Sequence, residues 1–130
     1  MTTMNAAQRR DQRKAEYNAF IAQCPTNRML DTISDKWTCL VMAALADGPH
    51  RYGELGDTVA AISNKMLTQT LRTLERDGLV HRQMTAQVPV RVDYTLTPMG
   101  LTLMPILTQL KEWSESHMDE VLSARADFDR

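Results

Sequence analysis

Asn64, Lys65, Thr68, Gln69 and Arg72 gather amide, ammonium, hydroxyl and guanidinium groups into one short stretch of chain. Those groups suit nucleic-acid recognition. An Asn or Gln amide pairs bidentately with adenine and an Arg or Lys with guanine, each pair giving roughly 1–3 kcal/mol of discrimination. Hydroxyls and cations also hold phosphate oxygens. The stretch must be a helix to present them together. Met66, Leu67, Leu71 and Leu74 recur at three- and four-residue spacing, so they form an apolar stripe distinct from the polar set. Ser63 is placed to cap the N-terminus and to reach a phosphate, and Gly78 to close the C-terminus in the left-handed conformation. Taken alone, this reads better as an ordinary surface helix with a solvated polar face, and the flanking segments reverse that preference.

Other residues could add to the same chemistry. Arg82 and Arg91 lie on the segment that follows, with Gln87 between them, and Arg51 lies upstream. They suit phosphate or minor-groove contact, which positions a protein without reading much sequence. Arg76 could join them or pair within its helix. Cys24 stands beside Thr26, Asn27 and Arg28 at a helix start, where a helix N-terminus and a cation both favour thiolate. It is either a reactive thiol or an inert one near an interface. Cys39 lies beside a core stripe and reads as packing.

No catalytic residues, metal ligands or cofactor site emerge. His50, His81 and His117 are scattered without ligand spacing, and there is no C-x-x-C, Gly-rich phosphate loop or Ser/His/Asp constellation. Nine methionines suit adaptable packing or an apolar effector pocket. At 130 residues and 43% hydrophobic composition the chain is one domain's worth and can bury a core without disulfides. No run approaches the roughly 20 apolar residues of a membrane span, and the polar N-terminus is not expected to be a secretory signal. Net charge is −1, but residues 1–23 carry four basic and two acidic side chains and residues 98–130 three and six. That distribution permits a cationic face on a neutral protein.

The elements that would position these groups follow in order. Residues 1–5 look frayed. A helix over Ala6–Gln23 carries a short ridge of Tyr17, Phe20 and Ile21. Cys24-Pro25 ends it, and Thr26 or Asn27 can cap the next helix. Asp35-Lys36-Trp37 opens a third, with Trp37, Leu40, Val41, Ala44 and Leu45 as its inward stripe, stopped by Gly48-Pro49. His50 to Tyr52 is one extended step. Gly53–Ala61 is a short helix with Leu55 and Val59 inward, and with the Ser63 helix it makes a helix-turn-helix. Residues 79–84 and 90–96 alternate with period two and form a hairpin, a wing, with Arg82 and Arg91 expected at matching heights on its strands. Thr97-Pro98 starts the last helix, which runs to about Ser123 and contains Pro105 as a kink site. Its apolar surface exceeds what a small core needs, so Leu103, Leu107, Leu110 and Trp113, with Tyr17, Phe20 and Ile21, are the expected dimer contacts. Residues 124–130 are expected to be a flexible tail.

The ordered set resembles the HxlR-type winged helix-turn-helix transcriptional regulators, relatives of the MarR group. The resemblance covers about residues 24–117. It rests on Cys24-Pro25, Asp35-Lys36-Trp37, Gly48, Arg51-Tyr52, Glu54-Leu55, Ile62-Ser63, Lys65-Met66-Leu67, Leu71-Arg72 and Leu74-Glu75. It continues through Gly78-Leu79, Val88-Pro89, Tyr94, Leu96-Thr97, Gly100 and Pro105. The family usually has Gly at the position of Asp35 and a double proline in the wing, where this chain has Pro89 alone. The resemblance implies a mainly α fold with a small β-hairpin: a helical arm over 1–23, a winged helix-turn-helix over 24–123, and dimerisation helices at both ends. It also implies a bacterial, cytoplasmic homodimer on double-stranded DNA. The Ser63–Gly78 helix would lie in the major groove and the wing at the minor groove. Cysteines before this proline sense oxidants or electrophiles in several members, a role that would carry over to Cys24.

Three functions compete. The leading one is a non-enzymatic regulator, expected to repress from a pseudo-palindromic operator, with a thiol signal and a small-molecule effector as alternative inputs. The second is a winged helix that binds a protein partner without specific DNA contact. The third, a thiol enzyme using Cys24, has nothing beyond the cysteine to support it.

Overall fold

The computed structural model describes residues 3–130, so the expected fraying over residues 1–5 lies in part, at Met1 and Thr2, outside the described residues. The chain divides into two compact units, Met1–Lys36 and Trp37–Arg130.

In the first unit, α1 spans Ala6–Gln23 and α2 spans Pro25–Ile33. Asn5 caps α1 in a reciprocal arrangement: its side chain accepts from the Gln8 amide at 2.8 Å while its own N–H donates to Gln8 Oε1 at 2.9 Å. Tyr17 and Phe20 are exposed. Cys24 serves both helices, as C-cap of α1 and N-cap of α2. This corrects the expectation that Thr26 or Asn27 caps α2. Proline at the first helical position needs no amide partner and presets φ, so α2 starts as early as Pro25 allows and those two residues fall inside its first turn.

In the second unit, α3 (Lys36–Ala44) begins at the boundary between the units, and β1 (His50–Arg51), α4 (Tyr52–Thr58) and α5 (Asn64–Arg76) follow. The hairpin is β2 (Val80–Thr85) and β3 (Arg91–Leu96), and α6 (Pro98–Phe128) closes the chain. The sheet order is β1-β3-β2, antiparallel throughout. The core gathers Val41, Met42, Leu45, Leu55, Val59, Ile62, Leu67, Leu71, Leu74, Leu79, Val80, Leu96 and Leu107.

Three sequence expectations change here. The inward face of α3 is Thr38, Val41, Met42 and Leu45, whereas Leu40 is half exposed and Trp37 and Ala44 are partly buried. The helix is apolar almost all round, so two stripes sharing Val41 and Leu45 fit the period equally, and packing selects between them. Leu107 lies in the core, with Leu103 against it, so Leu107 is not available as a dimer contact. Finally, α6 continues to Phe128 instead of stopping near Ser123. Its last turn holds alanine and arginine, which favour helix without needing burial.

Two local features fix the hairpin's base. Gly78 has φ of +74°, the left-handed conformation expected for it, and lets the chain leave α5 into β2. Thr97 caps α6 by accepting from the Gly100 amide at 3.0 Å, and its hydroxyl donates to the Gly78 carbonyl at 2.6 Å. One side chain therefore ties the end of α5 to the start of α6.

A helix-turn-helix face and its wing

The buried side of α5 is Leu67, Thr70, Leu71 and Leu74, with Met66 partly buried. The helix is therefore held by one face. Ser63 accepts the Met66 amide at 3.1 Å, the cap expected from sequence. On the opposite side Asn64, Lys65, Thr68, Gln69 and Arg72 line one open, continuous surface. Thr73 and Arg76 extend it. These two continue the polar positions Gln69 and Arg72 by one helical turn, so the periodicity could have included them. Among the described residues Arg76 makes no ion pair, so it belongs to the open face.

Tyr52 is the residue that sequence reasoning passed over. Its hydroxyl donates to the Asn64 carbonyl at 2.9 Å and lies 3.0 Å from Thr68 Oγ1. No local pattern signals this, because the partners stand 12 and 16 residues away in the chain. Arg51 pairs with Asp93 across the β1–β3 ladder and its side chain is exposed beside α4.

The wing is present, but its arginines are not level. Arg82 lies opposite Tyr94, while Arg91 lies opposite Thr85 near the tip. At about 3.3 Å per residue this separates them by about 10 Å along the hairpin. The connection runs over residues 86–90, one position later than the 85–89 expected, so the ladder pairs Thr85 with Arg91 and places Arg91 nearer the tip. Arg82 pairs with Glu75 of α5 at 3.6 Å, which holds it at the wing's base. Arg91 pairs with Asp93 at 2.9 Å. Both guanidinium groups remain substantially exposed, so the pairs orient them more than they stabilise the fold. Every residue from His81 to Arg91 is exposed, Gln87 among them, and the Val88–Pro89 peptide is cis. Near the base, burial raises the Tyr94 hydroxyl pKa above the ordinary phenol value.

Elsewhere, Cys24 is partly exposed, and the Asn27 and Thr26 amides lower its pKa below the ordinary thiol value. These are free amides of the first turn of α2, which favour an anion. Neither Cys24 nor Cys39 forms a disulfide. Among the described residues no cluster of His, Cys, Asp or Glu could hold a metal, and no helix is long and apolar enough to cross a membrane.

Comparison with known proteins agrees with this arrangement. Residues 32–122 match the family described as HxlR-like helix-turn-helix. The HTH-type transcriptional regulator YybR of Bacillus subtilis (strain 168) is 44% identical over 103 residues, covering 79% of this chain and 82% of that protein. The redox regulator HypR in its reduced form superposes with a TM-score of 0.72 at 43% identity, covering 77% of this chain and 99% of that one. Its oxidised form gives 0.67 at 45% identity, covering 72% and 96%. The reduced form of the transcriptional regulator YodB from B. subtilis gives 0.64 at 34% identity, covering 72% and 91%. The chain, a winged helix-turn-helix, belongs to the HxlR-like family and is a transcriptional regulator, not an enzyme.

Proposed function

We propose that this regulator is a homodimer that binds a pseudo-palindromic DNA operator, with α5 in the major groove and the wing against the adjacent minor groove. The observation that carries the reading is the single open face formed by Asn64, Lys65, Thr68, Gln69 and Arg72, opposite the buried leucines of α5. Base-edge recognition needs such a helix, rigid on one side and polar on the other. Arg51, Ser63, Arg82, Gln87 and Arg91 serve the phosphates and the minor groove. Arg82 exchanges Glu75 for DNA when it does so. Repression follows if the operator overlaps the polymerase site.

The dimer reading is supported by apolar side chains left exposed on α6: Leu110 at 57% and Trp113 at 55%. Tyr17 and Phe20 of α1, exposed at 64% and 69%, add to it, with Ile21 beside them. Leu110→Asp combined with Trp113→Asp converts the dimer to a folded monomer, read by light scattering and circular dichroism.

Cys24 is the proposed input. Its lowered pKa raises the thiolate fraction available to oxidants and electrophiles, and one structural relative, HypR, is a redox regulator, with both its reduced and its oxidised form similar to this chain. A small-molecule effector is the second reading. An open groove lined by Trp37, Leu40, Ala43, Ala44 and residues 58–61 supports it.

The test is fluorescence anisotropy on the upstream intergenic DNA, comparing reduced protein, diamide-treated protein and Cys24→Ser. Reduced protein binds a footprinted two-fold site, diamide abolishes binding, and Cys24→Ser resists diamide. Equal binding by all three refutes the thiol input and leaves DNA binding intact. Absence of a specific site refutes the operator reading and favours a protein partner, whose binding would tolerate Lys65→Ala and Arg72→Ala and depend little on salt.

A further inference from the structure

Thr68 sits in the middle of the proposed base-reading face, and its hydroxyl hydrogen is already committed. A carbonyl oxygen can only accept, so in the 2.9 Å contact with Asn64 the Tyr52 hydroxyl is the donor. Tyr52 has one proton. Its second contact, at 3.0 Å to Thr68 Oγ1, is then a hydrogen bond only if Thr68 donates and the phenol oxygen accepts. No other assignment satisfies both contacts. Without Tyr52, a threonine here can turn its proton either to the carbonyl four residues back, that of Asn64, or to an acceptor that approaches from outside; the Tyr52 hydroxyl is within hydrogen-bond distance of both groups and removes that choice. Tyr52 is partly buried at the start of α4, so the first helix of the motif holds the first turn of the second through this one oxygen.

We infer that Tyr52 is a specificity-determining positioning residue: it makes Thr68 an acceptor-only reader on the DNA-facing side of α5. The inference rests on the proposed major-groove role of α5. With its proton held by Tyr52, Thr68 offers a base edge its remaining lone pairs and its methyl group. Those suit the exocyclic amines of adenine and cytosine and the thymine methyl. Guanine presents N7 and O6, both acceptors, and meets no free proton. Accepting a guanine at that position requires Thr68 to give up its bond to Tyr52.

The experiment uses the full chain and a randomised double-stranded DNA library. Wild type, Tyr52→Phe, Thr68→Val and the double variant each select duplexes, which are sequenced to give base preferences at every operator position. Circular dichroism and the salt slope of binding are recorded for each. Wild type disfavours guanine at one symmetry-related pair of positions. Tyr52→Phe relaxes that preference roughly threefold to tenfold, the worth of one neutral hydrogen bond, while the other positions and the salt slope stay as in wild type. Thr68→Val changes the same pair of positions, and the double variant matches Thr68→Val alone. The inference is overturned if Tyr52→Phe selects the wild-type profile, or if it weakens all positions alike, as a merely structural role would. Should wild type itself select no sequence, the operator reading falls and takes this inference with it.

Discussion

Gly100→Ala separates two opposed physical effects in one substitution. Gly100 lies in the first turn of α6 and is buried. By helix propensity alone alanine should stabilise, by about 1 kcal/mol. Packing predicts the reverse. A Cβ at this position would overlap the Leu79 carbonyl oxygen and lie 3.2 Å from its carbon. That carbonyl cannot retreat freely. It accepts the Thr97 amide at 3.0 Å, and the Leu79 amide is itself bound to the Leu74 carbonyl at 2.9 Å. Overpacking against fixed backbone costs about 3 kcal/mol, so the net loss is about 2 kcal/mol. With a urea dependence of about 2 kcal/mol per molar, the midpoint falls by about 1 M. Gly53→Ala is the control. It lies in α4 with nothing within 4 Å of the added methyl, so propensity acts unopposed and the midpoint rises by a few tenths of a molar, for a gain of about 0.5 kcal/mol. Both are measured by circular dichroism at equal protein concentration, since association would shift the apparent stability. A Gly100→Ala midpoint at or above wild type refutes the reasoning, as would two shifts of the same sign.

Other substitutions test separate parts of the structure. Ser63→Ala removes the cap on the Met66 amide and lowers stability by about 1 kcal/mol, whereas Ser63→Asp restores most of it; equal urea midpoints for Ser63→Ala and wild type would sink the cap. Arg91→Ala weakens binding to operator and random DNA alike and reduces the salt slope by about one, because a phosphate contact carries no sequence information; an unchanged slope removes Arg91 from the interface. In a Cys39→Ser background, iodoacetamide alkylation of Cys24 gains rate as pH rises and levels off below the ordinary thiol pKa. The sign follows from the first-turn amides, which favour the thiolate. A plateau above that value would contradict it.

Much of this protein was written in its local sequence. The two faces of α5, the Ser63 cap, the Gly78 closure, the Thr97-Pro98 start of α6 and the period-two hairpin each depend on residues within a few positions of one another. Local periodicity and turn chemistry suffice for those. Leu67, Leu71 and Leu74 are buried as their spacing requires, and Asn64, Lys65, Thr68, Gln69 and Arg72 share the opposite side. Tertiary structure decided whatever depended on a distant partner. The side of α3 that turns inward was set by its neighbours, because an apolar helix offers more than one stripe. Hairpin register was set by pairing along the whole ladder, which moved Arg82 to the base beside Glu75 and left Arg91 near the tip. Tyr52 looked like a residue of a short extended step; only the approach of α4 to α5 put its hydroxyl between the Asn64 carbonyl and Thr68. Hydrogen-bond partners far apart in sequence leave no periodic trace, so the proton of the Thr68 hydroxyl could be followed only in three dimensions.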